Sequence, residues 1–536
     1  MALPGKWRNL ALLSLINGFV FTAIIANVTM TARAVIGLDT VSLSYITIPI
    51  AFTFLGQCGS CIPLNMLTKR KGFKAAFLVG NSCGLASSLL MFTGLESRTF
   101  WLFAFSAMLL GVSATAGLLT RFAAQSPCIC ESEFRSTAVS LTILGPVVGA
   151  AAGPWIAAGG RDIPVTGPLA RPYALSYLLL TIPFVMNLIL ASFLTIDDLA
   201  RVAAEASQDA AASKTEMKMK SQVGGVAVEG EGEGEEAVPS GVVVPEDADH
   251  LQVENVGRGG KEEGEHMERN RRSLGAVEEG TLVRRSSAET REKKTGEVHP
   301  SHSAATAAAP HSSSSSAPQS PWKYAHDVLF INPAGRLAIV AGTVGYAAMT
   351  VGMAPAPADM ANLGYSDLAI TGALQSHFVL MFLPGFFTGF LAKSIGLRVT
   401  ILLGDFATLF GFLLLMTADP LSLWVPWLGL AVLGVGWNWM FVGASALVVG
   451  AVSERDKIFH VLGLNDTILF FSTACLGVSA GILLGNSGRL AQLSLGLALA
   501  SLGLLYSLFD LLVLPSFIRA KEEAAQGSSS VRVSSK

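Results

Sequence analysis

Asp405, Asp466 and His377 stand inside long apolar runs where they could exchange protons. Such groups are costly in hydrocarbon and normally face a bundle interior, a cavity or an ionic partner. Asp405 and Asp466 each lie about eight residues into their run, roughly 12 Å deep at 1.5 Å per residue. A carboxylate there can serve as a proton-coupling group, or as the acidic partner of Lys69 and Lys393 near the same surface. His377, with Gln375 two residues before it, carries an imidazole that titrates near neutral pH. A plain hydrogen bond to a neighbouring helix explains it equally well. Asn17 stands within the first run, and Trp437, Asn438 and Trp439 stand near the middle of the tenth, beside Gly434 and Gly436. Successive helical residues point about 100° apart, so the two tryptophans cannot face one direction together.

The elements that must position these groups follow from composition. Of 536 residues, 51% are hydrophobic and 14% charged, whereas a soluble domain carries about 25% charged residues. The surplus apolar surface has to face lipid, which excludes a soluble enzyme. Twelve apolar runs are long enough to cross a hydrocarbon core of about 30 Å. They cover residues 9–30, 43–67, 75–95, 99–120, 136–157 and 173–194, then 335–354, 367–391, 398–417, 421–450, 459–484 and 490–514. Each must be helical, because unpaired peptide groups in hydrocarbon cost several kcal/mol. The first run is too long for a signal peptide.

Lysine and arginine crowd one set of short loops, at Lys6, Arg8, Lys69, Arg70, Lys71, Lys74, Arg121, Arg135, Lys393 and Arg398 among others. That side is expected to be cytosolic, with both termini and the central linker. Residues 195–334 form this linker; their Glu-, Gly- and Ser-rich core predicts disorder. Residues 515–536 form a disordered cytosolic tail. Ser273 and Ser286 each follow an Arg pair, but a solvated linker accounts for them without phosphorylation. Net charge is only −2, which gives no reason to expect nucleic acid. Cys58, Cys61, Cys83 and Cys475 fall in apolar runs as packing residues, and Cys128-x-Cys130 lacks a matching pair for a metal. No cofactor or metal is expected. No H-E-x-x-H or P-loop motif occurs, so an enzyme is not expected.

A repeat relates residues 1–194 to 335–514. Residues 65–81, NMLTKRKGFKAAFLVGN, align with 389–405, GFLAKSIGLRVTILLGD. The register pairs Lys69 with Lys393, Gly72 with Gly396, Lys74 with Arg398 and Gly80 with Gly404. The first helices of the halves match too, LALLSLINGF from Leu10 against LAIVAGTVGY from Leu337. On these residues the chain resembles the major facilitator superfamily, whose loop signature is G-x-L-A-D-R-x-G-R-K. Gly389, Leu391, Ala392, Gly396 and Arg398 stand at its positions, as do Leu67, Arg70, Gly72 and Lys74 in the first copy. Both copies put lysine, Lys69 and Lys393, at the aspartate position, so the family's charge network cannot carry over unchanged. The fifth run, with Gly145, Gly149, Gly153 and Pro154, is similar to the family's G-x-x-x-G-P motif; a glycine stripe of this kind lets another helix approach closely.

The resemblance implies an all-α membrane protein of twelve transmembrane helices in two pseudo-symmetric six-helix bundles, with a solute site between them near mid-membrane. It implies that the first, fourth, seventh and tenth helices line the cavity. Asn17 and Asn438 are therefore the expected polar contacts, with Trp437 or Trp439 as an aromatic wall, and Gln375 and His377 of the eighth run complete the expected cavity residues. Asp466, Asp405 and His377 are the proton-coupling candidates, with Asp405 on a helix that is peripheral in the family. Lys69, Arg70, Gly72, Lys74, Gly389, Lys393, Gly396 and Arg398, with Arg121 and Arg135, are expected to form the cytoplasmic gate loops. The expected activity is secondary active transport of a small organic solute by a monomer in the lipid bilayer, with protons as the coupling ion. Few fixed charges in the cavity point to neutral or amphipathic solutes. The alternative is a non-transporting receptor, chaperone or scaffold of the same fold that binds partners through its linker.

Overall fold

The computed structural model describes residues 6–38, 42–126, 135–162, 172–196, 320–419, 422, 424–454 and 457–513. The linker core with Ser273 and Ser286, Cys128, Cys130 and the tail lie outside the described residues.

The described chain is helical. Six helices form the first half: α1 Lys6–Ile36, α2 Ile48–Lys71, α3 Phe73–Glu96, α4 Phe100–Ala124, α5 Arg135–Asp162 and α6 Ala174–Ser192. The second half has α7 Pro333–Asn362, α8 in two pieces (Asp367–Phe382 and Gly385–Ile395), α9 Leu397–Met416, α10 Trp424–Ala451, α11 Ile458–Ser487 and α12 Arg489–Leu512. Eleven of these are long and apolar enough to cross a membrane singly, and the bent α8 makes twelve, as expected from the apolar runs. The bend of 45° in α8 falls at Leu383 and Pro384, where proline removes a backbone donor and crowds the preceding turn.

Helix begins earlier before the second half than the apolar runs indicate. Pro321–His326 is helical and passes through a π turn at Asp327–Ile331 into α7. The residues 320–334 assigned to the linker are therefore ordered structure. The reason lies in WKYAHDVLFI, whose apolar side chains pack under the second half. Tyr324 Oη lies 3.0 Å from Ser453 Oγ, and Trp322 meets the His460 ring edge-on at 5.0 Å.

Repeat-related residues adopt matching backbone. Gly72 joins α2 to α3 at φ 86°, ψ 174°, and Gly396 joins α8 to α9 at φ 91°, ψ 151°. Only glycine tolerates that region. The basic residue two positions later anchors the last helix of its own half in each case. Lys74 Nζ donates to the Ser192 carbonyl at 2.7 Å, and Arg398 Nε lies 2.8 Å from the Asp510 carboxylate.

The halves meet along two seams. In one, α2 packs on α11; in the other, α5 packs on α8. Within the first half α5 lies directly on α1. A methyl on Gly145 would come 1.9 Å from the Ser14 carbonyl oxygen, and one on Gly149 would come 2.9 Å from the Gly18 oxygen. The stripe at 145, 149 and 153 is thus where two backbones touch.

Candidate functional site

Between the halves is a cavity of about 60 Å³, smaller than the roughly 300–1,000 Å³ usual for small-molecule sites. α1 supplies Phe21, Ile24, Ile25 and Val28, α2 supplies Phe54 and Gln57, and α4 supplies Ala114 and Leu118. From the other half, α7 gives Tyr346, Met349 and Met353, α8 gives Phe378, Met381 and Phe382, and α10 gives Trp437. No lining residue carries a fixed charge.

The rings form a connected group across the halves. Phe21 meets Phe382 edge-on at 4.9 Å, and Phe382 meets Trp437 at 5.9 Å. Tyr346 stands edge-on to Trp437 at 5.2 Å and to Phe470 at 5.4 Å, while Phe54 stacks on Phe470 at 6.3 Å. Edge-to-face pairs of this kind contribute about 0.5–1.5 kcal/mol beyond area burial, so the wall is held by its own contacts. The Trp437 indole N–H is buried without a hydrogen-bond partner among the described residues, and Gln57 and Tyr346 are the other polar residues of the lining.

Toward the lysine-rich end, Trp437 stacks on Phe441 at 4.9 Å and 13°. The Arg121 guanidinium lies 4.9 Å from the Phe441 ring centroid, donates to Ser445 Oγ at 3.1 Å and lies 3.5 Å from the Asp466 carboxylate. Arg121 belongs to α4 and its three partners to α10 and α11, so this ion pair ties the halves together. At the opposite end Asp367, which begins α8, pairs with both Arg33 of α1 and Arg161 of α5. Arg489 pairs with Asp359 at 2.9 Å nearby, within the second half.

Of the six residues expected in the cavity, Trp437 lines it. Asn17 donates to the Thr142 carbonyl at 3.1 Å and so fastens α1 to α5. Gln375 donates to the Ala151 carbonyl at 3.0 Å across the seam between α8 and α5. His377, fully buried, donates from Nδ1 to the Leu430 carbonyl at 2.7 Å and fastens α8 to α10. Asn438 donates to the Met381 carbonyl at 2.7 Å and accepts from Thr388 at 2.6 Å. Trp439 faces a separate groove beside Leu383, Phe387 and Leu391. These amides and the imidazole lie between helices because each finds a backbone carbonyl there, which the apolar cavity does not offer.

Asp466 is partnered by Arg121 rather than by a lysine of the loops, and Asn465 donates to it at 2.9 Å. Asp405 is fully buried between α9 and α12 and accepts from Ser507 Oγ at 2.6 Å. It lies away from the cavity lining. Lys69, Arg70 and Lys393 are exposed at the loop surface; Gly389 has open space around it. Arg135 begins α5. Pro154 sits inside α5 beside Gly153.

The residues that sequence reasoning missed are mainly Phe21, Phe54, Gln57, Tyr346, Phe382 and the three methionines. Gln57 carried a readable signal, as the one amide in the apolar stretch FTFLGQCGS of α2. Tyr346 ends the segment that aligns with LALLSLINGF. The rest are apolar residues indistinguishable by type from lipid-facing ones.

The family model described as Major Facilitator Superfamily matches residues 10–460. Among curated proteins, the chain is 38% identical over 155 residues to the riboflavin transporter RfnT of Brucella anthropi, covering 28% of this chain and 37% of that protein. It is 32% identical over 144 residues to the uncharacterized MFS-type transporter YddS of Bacillus subtilis, covering 26% of this chain and 32% of that one. The matched stretches thus span about a third of these relatives. Among solved structures, the E. coli xylose transporter XylE in a partially occluded inward-open conformation superposes with TM-score 0.54 at 9% identity, over 94% of this chain and 99% of that one. A D-xylose-proton symporter gives TM-score 0.53 at 11% identity, over 94% and 97%. At such identities the likeness is one of fold.

Proposed function

The chain belongs to the Major Facilitator Superfamily, and on that premise we propose that it is a secondary active transporter moving a small organic solute by alternating access. The observation that carries this is the cavity between the halves, with an inter-half ion pair at each end: Arg121 with Asp466 at one, Asp367 with Arg33 and Arg161 at the other. A solute held there reaches either side only when one set of pairs parts. Alternating access needs that arrangement.

The coupling ion in this reading is the proton, and Asp466 is the residue that takes it. A proton on that carboxylate removes the negative partner of Arg121 and weakens the seam between α4 and α11. Asp405 and His377 are assigned to helix packing instead, since each is spent on a contact outside the cavity. The lysine-rich loop end faces the cytosol, following the charge bias, and the protein acts as a monomer. The gate is carried by Arg121, while Lys74 and Arg398 brace their own halves beneath the loops.

The test is flux in proteoliposomes across a solute panel, with and without an imposed pH gradient. Riboflavin, carried by one relative according to its name, belongs in that panel, since it is a neutral solute at physiological pH. Solute accumulation that collapses with the gradient is expected. No flux for any solute, together with partner capture through residues 195–334, would overturn the reading in favour of a receptor or scaffold.

A further inference from the structure

We infer that the solute is an uncharged, flat aromatic heterocycle presenting an edge of hydrogen-bond donors and acceptors; this rests on the transport reading above. Three polar residues stand in the lining of the cavity. Gln57, Tyr346 and Trp437 are 5%, 6% and 3% exposed, and the Trp437 indole N–H is buried without a hydrogen-bond partner among the described residues. Buried polar groups are nearly always satisfied, and each exception calls for an explanation. A bound solute that satisfies the indole supplies the explanation.

The wall then narrows the chemistry. Phe21, Phe54, Phe382, Tyr346 and Trp437 come from five helices of both halves, and aromatic walls favour ring solutes by stacking and edge contacts. Met349, Met353 and Met381 add flexible thioethers that fit a ring outline and contact it favourably. An ionic solute would lose its hydration with no opposite charge in the lining, at a cost of several kcal/mol. A sugar would bring more hydroxyls than three side chains can satisfy, and a pure hydrocarbon would leave the indole N–H unsatisfied. A neutral ring with both donor and acceptor on one edge matches the set. The indole donates only, the hydroxyl does either, and the Gln57 amide can pair with an amide or imide edge.

Equilibrium dialysis of the purified full-length protein tests this without requiring transport. The probes are 1,8-naphthalimide, its N-methyl derivative, 1-naphthoate and xylose. Saturable binding of the naphthalimide is expected, with the N-methyl compound roughly two- to tenfold weaker for loss of one hydrogen bond. Gln57→Leu should erase that difference between the two imides, whereas Trp437→Phe should weaken both. If Gln57→Leu does not fold, Tyr346→Phe removes a single oxygen and should weaken the naphthalimide by a similar factor. Tighter binding of naphthoate or xylose, or an unchanged ratio of the two imides in a folded Gln57→Leu, overturns the inference. Naphthalimide binding without flux of any solute would leave this inference standing and remove the transport reading. Flux of a sugar or an anion with no imide binding would do the reverse.

Discussion

At the scale of single residues, the Arg121 and Asp466 pair is where charge, packing and the seam between halves coincide. Its members are 15% and 9% exposed at the side chain, so neither can fall back fully on water. Removing one partner of a buried pair costs about 3–5 kcal/mol because the other charge is stranded. Arg121→Gln should therefore lower thermal stability measurably, and the double variant Arg121→Gln with Asp466→Asn should recover most of the loss. An additive double variant would show that the pair is not coupled. For transport, Asp466→Asn should abolish the response of flux to a pH gradient, whereas Asp405→Asn should leave that response in place. A lost response in Asp405→Asn, in protein that is still folded, would return that residue to the coupling mechanism. The ionisable residues were legible in the sequence as intramembrane charges. Their roles were not, since a carboxylate beside an arginine of another helix and one beside a serine hydroxyl read alike in a linear chain.

At the scale of elements, glycine decides both the close crossing of α1 with α5 and the turns between helices. Gly145→Ala would drive a methyl into the Ser14 carbonyl at 1.9 Å, and backbone cannot step aside as a side chain can. Overpacking of this kind costs about 1–3 kcal/mol. Gly159→Ala on the same helix has open space and should be nearly silent in the same thermal-shift assay. Equal effects at both positions would mean that α1 does not rest on the stripe. Gly396→Ala isolates a different cause, because its added methyl meets nothing while its φ of 91° is forbidding. It should destabilise by about 1–3 kcal/mol through backbone strain, and Gly389→Ala, seven residues earlier, should not. The glycine stripe and the paired loop glycines were both visible in the sequence, the one by four-residue spacing and the other by repeat register. The neighbour of the stripe was not, because spacing identifies a face without saying which helix covers it.

At the scale of the whole molecule, two halves of six helices enclose a cavity, and ion pairs join the halves toward each end. Alternating access demands that the α2 and α11 seam open toward the end away from the lysine-rich loops. A methyl built on Gly477 would stand 3.8 Å from the Ala51 Cβ across that seam, within the range of about 3.5–4.5 Å for a disulfide. Ala51→Cys with Gly477→Cys should accordingly stop flux on oxidation and recover it on reduction, with each single variant unaffected. Full flux in the oxidised double variant would show that this seam does not part.

The sequence by itself determined the twelve spans, their division into two related halves, the membrane setting and the family, because hydrocarbon imposes helix on every span and duplication leaves matching residues in register. It also marked Trp437 and the Arg121 region. Only the tertiary structure decided which side chains face the cavity. Asn17, Gln375, His377 and Asn438 point to carbonyls of neighbouring helices, while apolar Phe21, Phe54 and Met353 line the cavity. A helix buried in a bundle is apolar on nearly every face, so residue type no longer reports direction. The rotation of each helix is set by what packs against it.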